Sequence, residues 1–239
     1  NFFVIQLYRV SLRHADIIFF QNNDDMELFR DQNIIGSKAR AVRLMGSGVD
    51  LSYFTKKPFK KEATTFLFVG RLLTEKGINE FVDAAKILKS KKMNCRFVIV
   101  GGIDHNPTSV SASTVFEWVK SGLVEYCGFK DDVRPFLEDS TVMVLPSYRE
   151  GLPRSVLEAM AVGRPIITTD VPGCRDTVID GKNGFLVKAR DPVSLAEAMI
   201  SLALDRSRCS EMGDSSRKIA EEMFCVEKVN QRIMECILP

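Results

Sequence analysis

Four charged side chains could meet on one anionic, hydroxyl-rich ligand: Arg71, Lys76, Glu150 and Glu158. Gly70 precedes the first cation and Gly77 follows the second. Glycine lets backbone come close to a ligand, Arg offers a planar fork and Lys a point charge, a set suited to phosphate oxygens. Taken alone, the two cations read first as solvated loop charges, because loops are commonly charged. The carboxylates carry more information. Glu150 stands in a loop just before Gly151-Leu152-Pro153, whereas Glu158 falls among Val156, Leu157, Ala159, Met160 and Ala161. Fully helical rise over that spacing would hold the two acids about 12 Å apart. Carboxylates accept hydrogen bonds from hydroxyls, so the pair could grip two polyols along one extended ligand. The alternative is a solvated loop acid and an ordinary surface helix acid, but a charge on a nearly all-apolar helix needs a partner. A helix opening at Gly151-Leu152-Pro153 also offers unpaired N–H groups and partial positive charge to a diphosphate.

The surrounding elements decide whether these residues meet. Continuous apolar runs predict strands at 66–70, 96–100, 124–128, 142–145, 166–169 and 184–187, with helices at 78–89, 133–139, 155–162 and 192–205. Such alternation predicts an α/β fold, a Rossmann-like doubly wound parallel sheet covered on both faces. Ligands of open α/β sheets bind beyond the carboxyl ends of the strands, where Gly70, Arg71 and the loop to Glu150 all fall. Upstream, a helix at 2–12, a strand at 15–20, a helix near 24–32 and a strand at 41–45 lead to the turn Gly46-Ser47-Gly48-Val49-Asp50. The connector Lys56-Lys57-Pro58-Phe59-Lys60-Lys61-Glu62 is basic and broken by Pro, as solvated linkers are. Residues 215–238 are expected to be helical with a break near Phe224.

Length and composition exclude several classes. The chain has 239 residues, 45% hydrophobic and 27% charged, enough for a full core and too apolar for disorder. A net charge of +2 is too small to imply a nucleic-acid-binding surface. The six cysteines follow no C-x-x-C spacing, which argues against a zinc ribbon or disulfide scaffold and favours a reducing compartment. His14 and His105 are the only histidines and have no ligand spacing around them. No apolar run approaches the ~18 residues of a membrane span. Arg9 and Arg13 interrupt the apolar N-terminus, which argues against a signal peptide. A chain opening on Asn1 inside an amphipathic segment is expected to be the back part of something longer.

The pattern Gly70-Arg71-x4-Lys76-Gly77, followed by Pro146-Ser-x-x-Glu150-Gly151-x6-Glu158-Ala159-Met160-Ala161-x-Gly163-x-Pro165, resembles the retaining glycosyltransferases of the family 4 type. The resemblance runs from about Ala15 to the C-terminus and implies a GT-B fold, two Rossmann-like domains facing across a cleft. It implies that residues 1–55 are a remnant of the N-terminal acceptor domain with its crossing linker. Residues 56–223 would be the nucleotide-sugar-binding domain, and 224–239 a C-terminal helix crossing back. Arg71 and Lys76 would neutralise the nucleotide diphosphate, Glu158 would hold the ribose hydroxyls and Glu150 the transferred sugar. Backbone from Gly151 through Leu152 and Pro153 to Ser155 would touch sugar and phosphate, and Cys127-Gly128-Phe129 would border the base. The donor would be a UDP-sugar, acting as substrate, with fixed cations and amides in place of a metal. Family resemblance points to front-face retention within the donor complex, beside a covalent route through Glu150 as the other option.

A narrower likeness, in Gly101-Gly102-Ile103-Asp104-x-Asn106-Pro107 and the run from Leu145 to Pro153, is to bacterial transferases acting on polyprenyl-diphosphate-linked glycans. It implies a UDP-hexose or UDP-N-acetylhexosamine donor, a glycan or polyprenyl-diphosphate-linked acceptor, and work in the cytoplasm at the inner membrane face. Asp104 and His105 themselves read as a mobile surface loop. The acceptor side would come from the missing N-terminal domain, so this chain alone is expected to bind donor without transferring it; a non-catalytic nucleotide-sugar-binding module is the alternative. A dinucleotide oxidoreductase is disfavoured because Gly70-Arg71-Leu72-Leu73 does not supply G-x-G-x-x-G. The apolar face of the first helix is expected to pack on the missing domain, with contact to anionic lipid through Arg9 and Arg13 as the other option.

Overall fold

The computed structural model describes residues 2–60 and 63–238, which leaves Lys61 and Glu62 of the connector outside the described residues. Six strands form one wholly parallel sheet: β3 (Thr64–Val69), β4 (Cys95–Val100), β5 (Glu125–Tyr126), β6 (Val142–Leu145), β7 (Ile166–Thr169) and β8 (Gly184–Val187), in the order β5-β4-β3-β6-β7-β8. That order is the doubly wound one, with its switch point between β3 and β6. Register there aligns Phe66 with Val142 and Leu67 with Met143, while β3 pairs β4 from Thr64↔Cys95 to Val69↔Val100. β3, β6 and β7 are buried along their whole length, which explains why they read as unbroken apolar runs.

Helices α3 (Ile78–Ser90), α4 (Ala112–Lys120), α5 (Arg134–Asp139), α6 (Arg154–Val162), α7 (Pro192–Leu204) and α8 (Arg206–Ile219) connect and cover the sheet. α3 packs on α7, and α6 packs on α5 and α8. Two helices differ from expectation. α4, capped by Ser111 accepting from Thr114 N, was not foreseen, and α8 begins at Arg206 rather than near residue 215, capped by Asp205. In α8 the buried positions are Cys209, Met212, Gly213, Ser216 and Ile219, so small and polar residues hide its apolar face in the sequence. β5 is also shorter than its run implied, an edge strand of two residues.

Upstream, α1 (Phe2–Ser11), β1 (Ile17–Phe20), α2 (Asn23–Asp31) and β2 (Arg40–Arg43) form a smaller unit in which β1 and β2 pair in parallel. The final helix α9 (Val226–Ile237) follows a π-helical turn at Ala220–Phe224, close to the expected break. α9 lies against this unit: Cys236 packs with Val42 and Leu44, and Arg40 donates to its carbonyl at 2.9 Å. The described part of the connector is largely exposed, as expected, but it is also tied to the domain. Lys56 pairs with Asp214 at 2.7 Å, Lys57 lies 3.8 Å from Glu138, and Phe59 stacks 4.6 Å from the guanidinium of Arg164. Arg164 is wholly buried and donates to the carbonyls of Leu137 and Glu138, so the strap seals a buried cation that caps α5. In α1, by contrast, Phe2, Phe3, Leu7 and Val10 are exposed. Among the described residues no helix is long and apolar enough to cross a membrane.

Candidate nucleotide-sugar site

The switch point brings the carboxyl ends of β3 and β6 side by side, and the sequence places Gly70-Arg71 after the first and Pro146-Ser147 after the second. Lys76 ends a short 3-10 turn (Thr74–Lys76) that closes on Gly77 in the left-handed region, φ 73°. A Cβ at Gly77 would come within 2.0 Å of the Pro146 carbonyl oxygen, so only glycine lets the two loops touch. Tyr148 N donates to the Glu75 carbonyl at 2.8 Å and ties the same loops again. As a result Lys76 Nζ reaches both oxygens of Glu150, at 2.6 and 2.8 Å, across 74 positions of chain.

Glu150 is held from several sides. Ser147 Oγ donates to its Oε1 at 2.6 Å, and its backbone N–H donates to the Pro172 carbonyl at 3.1 Å. Gly173, at φ 78°, packs so tightly on this turn that a Cβ would lie 2.3 Å from the Glu150 carbonyl oxygen. The Tyr148 hydroxyl donates to Glu80 at 2.6 Å; burial, with Glu80 adding to it, pushes the phenol up to about 12, so it remains a donor. Ser147 is fully buried, and nothing in the sequence pattern assigns it a role. Ser147→Ala removes its bond to a carboxylate and is expected to lower stability by about 1.5 kcal/mol, read from urea unfolding at constant m-value.

Arg71, Glu158 and Phe129 have other partners or neighbours than this pair. Arg71 turns to a different partner: its Nη1 donates to Asp104 at 2.9 Å. Asp104, expected on a mobile loop, is fixed: its N–H donates to Ser109 Oγ at 3.0 Å and its carboxylate accepts from Asn106 N at 3.0 Å. The Arg71 guanidinium holds the Asp104 carboxyl below the usual range. Glu158, 9% exposed on α6, has the partner that its apolar surroundings demanded: Arg154 Nε donates to it at 3.1 Å. Burial still pushes its carboxyl up, with Arg154 opposing. It opens on a separate cavity of about 530 Å³ lined also by Ser47, Asp50, Tyr53, Asp131 and Asp132. The two acids therefore stand apart, Glu150 at the mouth of α6 and Glu158 beyond it. Phe129 is 70% exposed and stands beside Gly102, outside the lining of that cavity.

Leu152 is buried, and Pro153 starts α6 without any side-chain cap, whereas α2, α4, α7 and α8 each have one. The N–H groups of Arg154 and Ser155 at that end are among those a helix leaves unpaired. Sequence reasoning missed Asp104 as a partner of Arg71, and it missed Asn22, whose amide reaches the Gly151 carbonyl at 2.8 Å. For Asp104 the usable signal was the register of β3 beside β4, which brings the loops after Val69 and Val100 together. Among the described residues no group of three or more His, Cys, Asp or Glu is arranged to hold a metal ion.

Comparison with known proteins agrees with this architecture. The chain is 33% identical over 218 residues to the N,N'-diacetylbacillosaminyl-diphospho-undecaprenol alpha-1,3-N-acetylgalactosaminyltransferase of Campylobacter jejuni, covering 86% of this chain and 55% of that protein. It is 32% identical over 157 residues to the capsular polysaccharide biosynthesis glycosyltransferase CapM of Staphylococcus aureus, covering 66% of this chain and 41% of that one. The chain thus spans about half the length of the curated relatives it matches. Among solved structures, sucrose-phosphate synthase of Thermosynechococcus elongatus superposes with a TM-score of 0.85 at 22% identity, over 99% of this chain and 61% of that one. HepE of Anabaena, in complex with UDP, superposes at 0.84 and 20% identity, over 98% and 67%. These neighbours have the GT-B fold, so the six-stranded sheet is the Rossmann-like half expected from the sequence. The family description "Glycosyl transferases group 1" matches residues 63–205, from the edge of β3 through α7. Because that match takes in the whole six-stranded sheet and the loops that carry Lys76, Glu150 and Glu158, the chain belongs to the group 1 glycosyltransferases.

Proposed function

We propose that this chain is the donor-binding half of a retaining glycosyltransferase of the family 4 type. It takes a hexose or N-acetylhexosamine from a UDP-sugar and serves transfer to a glycan or polyprenyl-diphosphate-linked acceptor. The observation that carries the reading is the Lys76–Glu150 contact at the switch point, where a cation and a hydroxyl-binding acid share one mouth with the uncapped start of α6. Departure of a nucleoside diphosphate builds negative charge on phosphate oxygens, and fixed donors aimed at that charge stabilise it. Lys76, Arg71 and the N–H groups between Gly151 and Ser155 supply such donors, while Glu150 accepts from the sugar and Glu158 from the ribose. The Campylobacter jejuni relative, named for an N,N'-diacetylbacillosaminyl-diphospho-undecaprenol substrate, supports a lipid-linked acceptor. A lipid-linked acceptor fits work at a membrane surface, read here as the cytoplasmic face of the inner membrane. UDP-bound HepE supports the nucleotide. The exposed apolar face of α1 supports a further domain of the same protein as its cover.

Calorimetric titration with UDP and then UDP-N-acetylglucosamine tests the reading. Arg71→Ala is expected to weaken UDP about tenfold, the low end for a hydrogen bond to a charged group. Binding is expected to survive excess EDTA unchanged, because fixed cations carry the charge. Absence of UDP binding, or binding indifferent to both Arg71→Ala and Glu158→Ala, overturns it.

A further inference from the structure

Asn22 is fully buried although it begins a surface helix. Its Oδ1 accepts from Asp25 N at 2.7 Å, which caps α2. Capping uses only one end of the amide. The other end, Nδ2, donates to the Gly151 carbonyl at 2.8 Å, 129 positions away, lies 3.4 Å from the Glu150 carbonyl and reaches Asp25 Oδ2 at 2.9 Å. The peptide that carries Glu150 is therefore gripped twice: from the sheet side by Pro172 and Gly173, and from the upstream unit by Asn22. Ion pairs surround this contact. Asp25 pairs with Arg149, Asp24 with Arg175 at 3.0 Å, and Arg43 with Asp176 at 2.6 Å. The first two pairs are partly exposed and contribute little each, whereas Arg43–Asp176 is largely withdrawn from water and helps to hold the upstream unit in place. The fully buried Asn22 amide is worth more: it donates to the Gly151 carbonyl and to the Asp25 carboxylate, and its loss removes both bonds.

We infer that Asn22 is a positioning residue: it ties the placement of the Glu150 carboxylate to the docking of the β1–α2 segment on the α/β sheet. This rests on the reading that Glu150 touches the transferred sugar while Arg71 and Lys76 hold the diphosphate. The division of labour makes the role separable from general stability. Loss of the Asn22 bridge loosens the Glu150 turn and leaves the diphosphate cations in place, so it weakens a nucleotide sugar and spares the nucleotide.

Asn22→Ser tests this, because serine is as good a helix cap as asparagine but does not reach the Gly151 carbonyl. Asn22→Asp is the second variant: it keeps the cap acceptor and has no N–H to donate. In this chain, both are expected to weaken UDP-N-acetylglucosamine about tenfold by calorimetry and to change UDP by less than twofold, with Glu150→Ala marking the full loss. A second readout needs no donor. Hydrogen exchange of amides 149–152 should speed up at least tenfold in Asn22→Ser while α3 and α7 exchange as in the parent chain. Unchanged exchange at 149–152 overturns the proposal, as does equal weakening of UDP and UDP-sugar. If the parent chain binds no UDP but exchange at 149–152 still speeds up, the donor reading fails and the positional link stands.

Discussion

Lys76→Ala is expected to weaken UDP binding roughly 30-fold, equivalent to about 2 kcal/mol for charge-assisted bonds to phosphate. It should also lower the stability of the chain. Lys76 and Glu150 are 23% and 12% exposed, so the pair is largely withdrawn from water. Removing one partner of a buried pair costs about 3–5 kcal/mol because a charge is left uncompensated, and partial exposure reduces that here to about 1–2 kcal/mol. Glu150 keeps the Ser147 hydroxyl, which softens the loss further. The double replacement Lys76→Met with Glu150→Gln separates the two effects. Two neutral side chains of similar volume should recover most of the stability, since a buried pair contributes little net over apolar packing. Binding of UDP should not recover. Urea unfolding and calorimetry on the three proteins give both quantities. A Lys76→Ala chain that binds UDP as tightly as the parent would remove the cation from the site altogether.

What the sequence discloses about this molecule follows from where contrast exists. β3, β6 and β7 are buried on both faces, so Phe66 to Val69 and Val142 to Leu145 stand out as unbroken apolar runs. α4 gives no such signal, because it lies at the edge and exposes Phe116 and Val119 while burying only Val115 fully. α8 hides for the opposite reason, since Gly213 and Ser216 serve as core residues where close packing needs small side chains. At the site, Glu158 is legible as a charge stranded in an apolar helix, and its single partner one turn earlier is a local matter. Asn22 is not. On paper it is one more helix cap before Asp24 and Asp25, and only the docking of the β1–α2 unit brings its amide to Gly151. Contacts between units carry no periodicity, which is why the tie between the Glu150 turn and the upstream segment is visible only in the folded chain.

Glu158→Gln is expected to trade binding against stability in a pH-dependent way. Burial raises the Glu158 carboxyl above its ordinary value, with Arg154 only partly offsetting the effect. A group whose folded value is raised binds more protons in the folded state, so its contribution is full at acid pH and is lost as pH rises through the raised value. The parent chain should therefore lose stability across a window that starts in the normal carboxylate range and extends above it. Glutamine does not titrate, and its neutral amide suits the same buried position, so the variant should lack this loss and gain on the parent as pH rises towards 7. Arg154 loses its carboxylate, but it is 74% exposed and stays hydrated. UDP binding should move the other way. Ribose hydroxyls donate to an ionised carboxylate, so parent affinity rises with pH through the same window and binding releases protons. The variant should bind UDP roughly 30-fold more weakly at pH 7, again about 2 kcal/mol for bonds to a charged acceptor, and with a flat pH profile. Thermal unfolding and calorimetry between pH 5 and 8 decide the matter. If Glu158→Gln kept both the parent's affinity and its pH slope, the ribose would have to lie elsewhere in the cleft. A residue that is costly to the fold yet needed by the ligand is the expected signature of a working site. Glu158 should show both sides of that exchange.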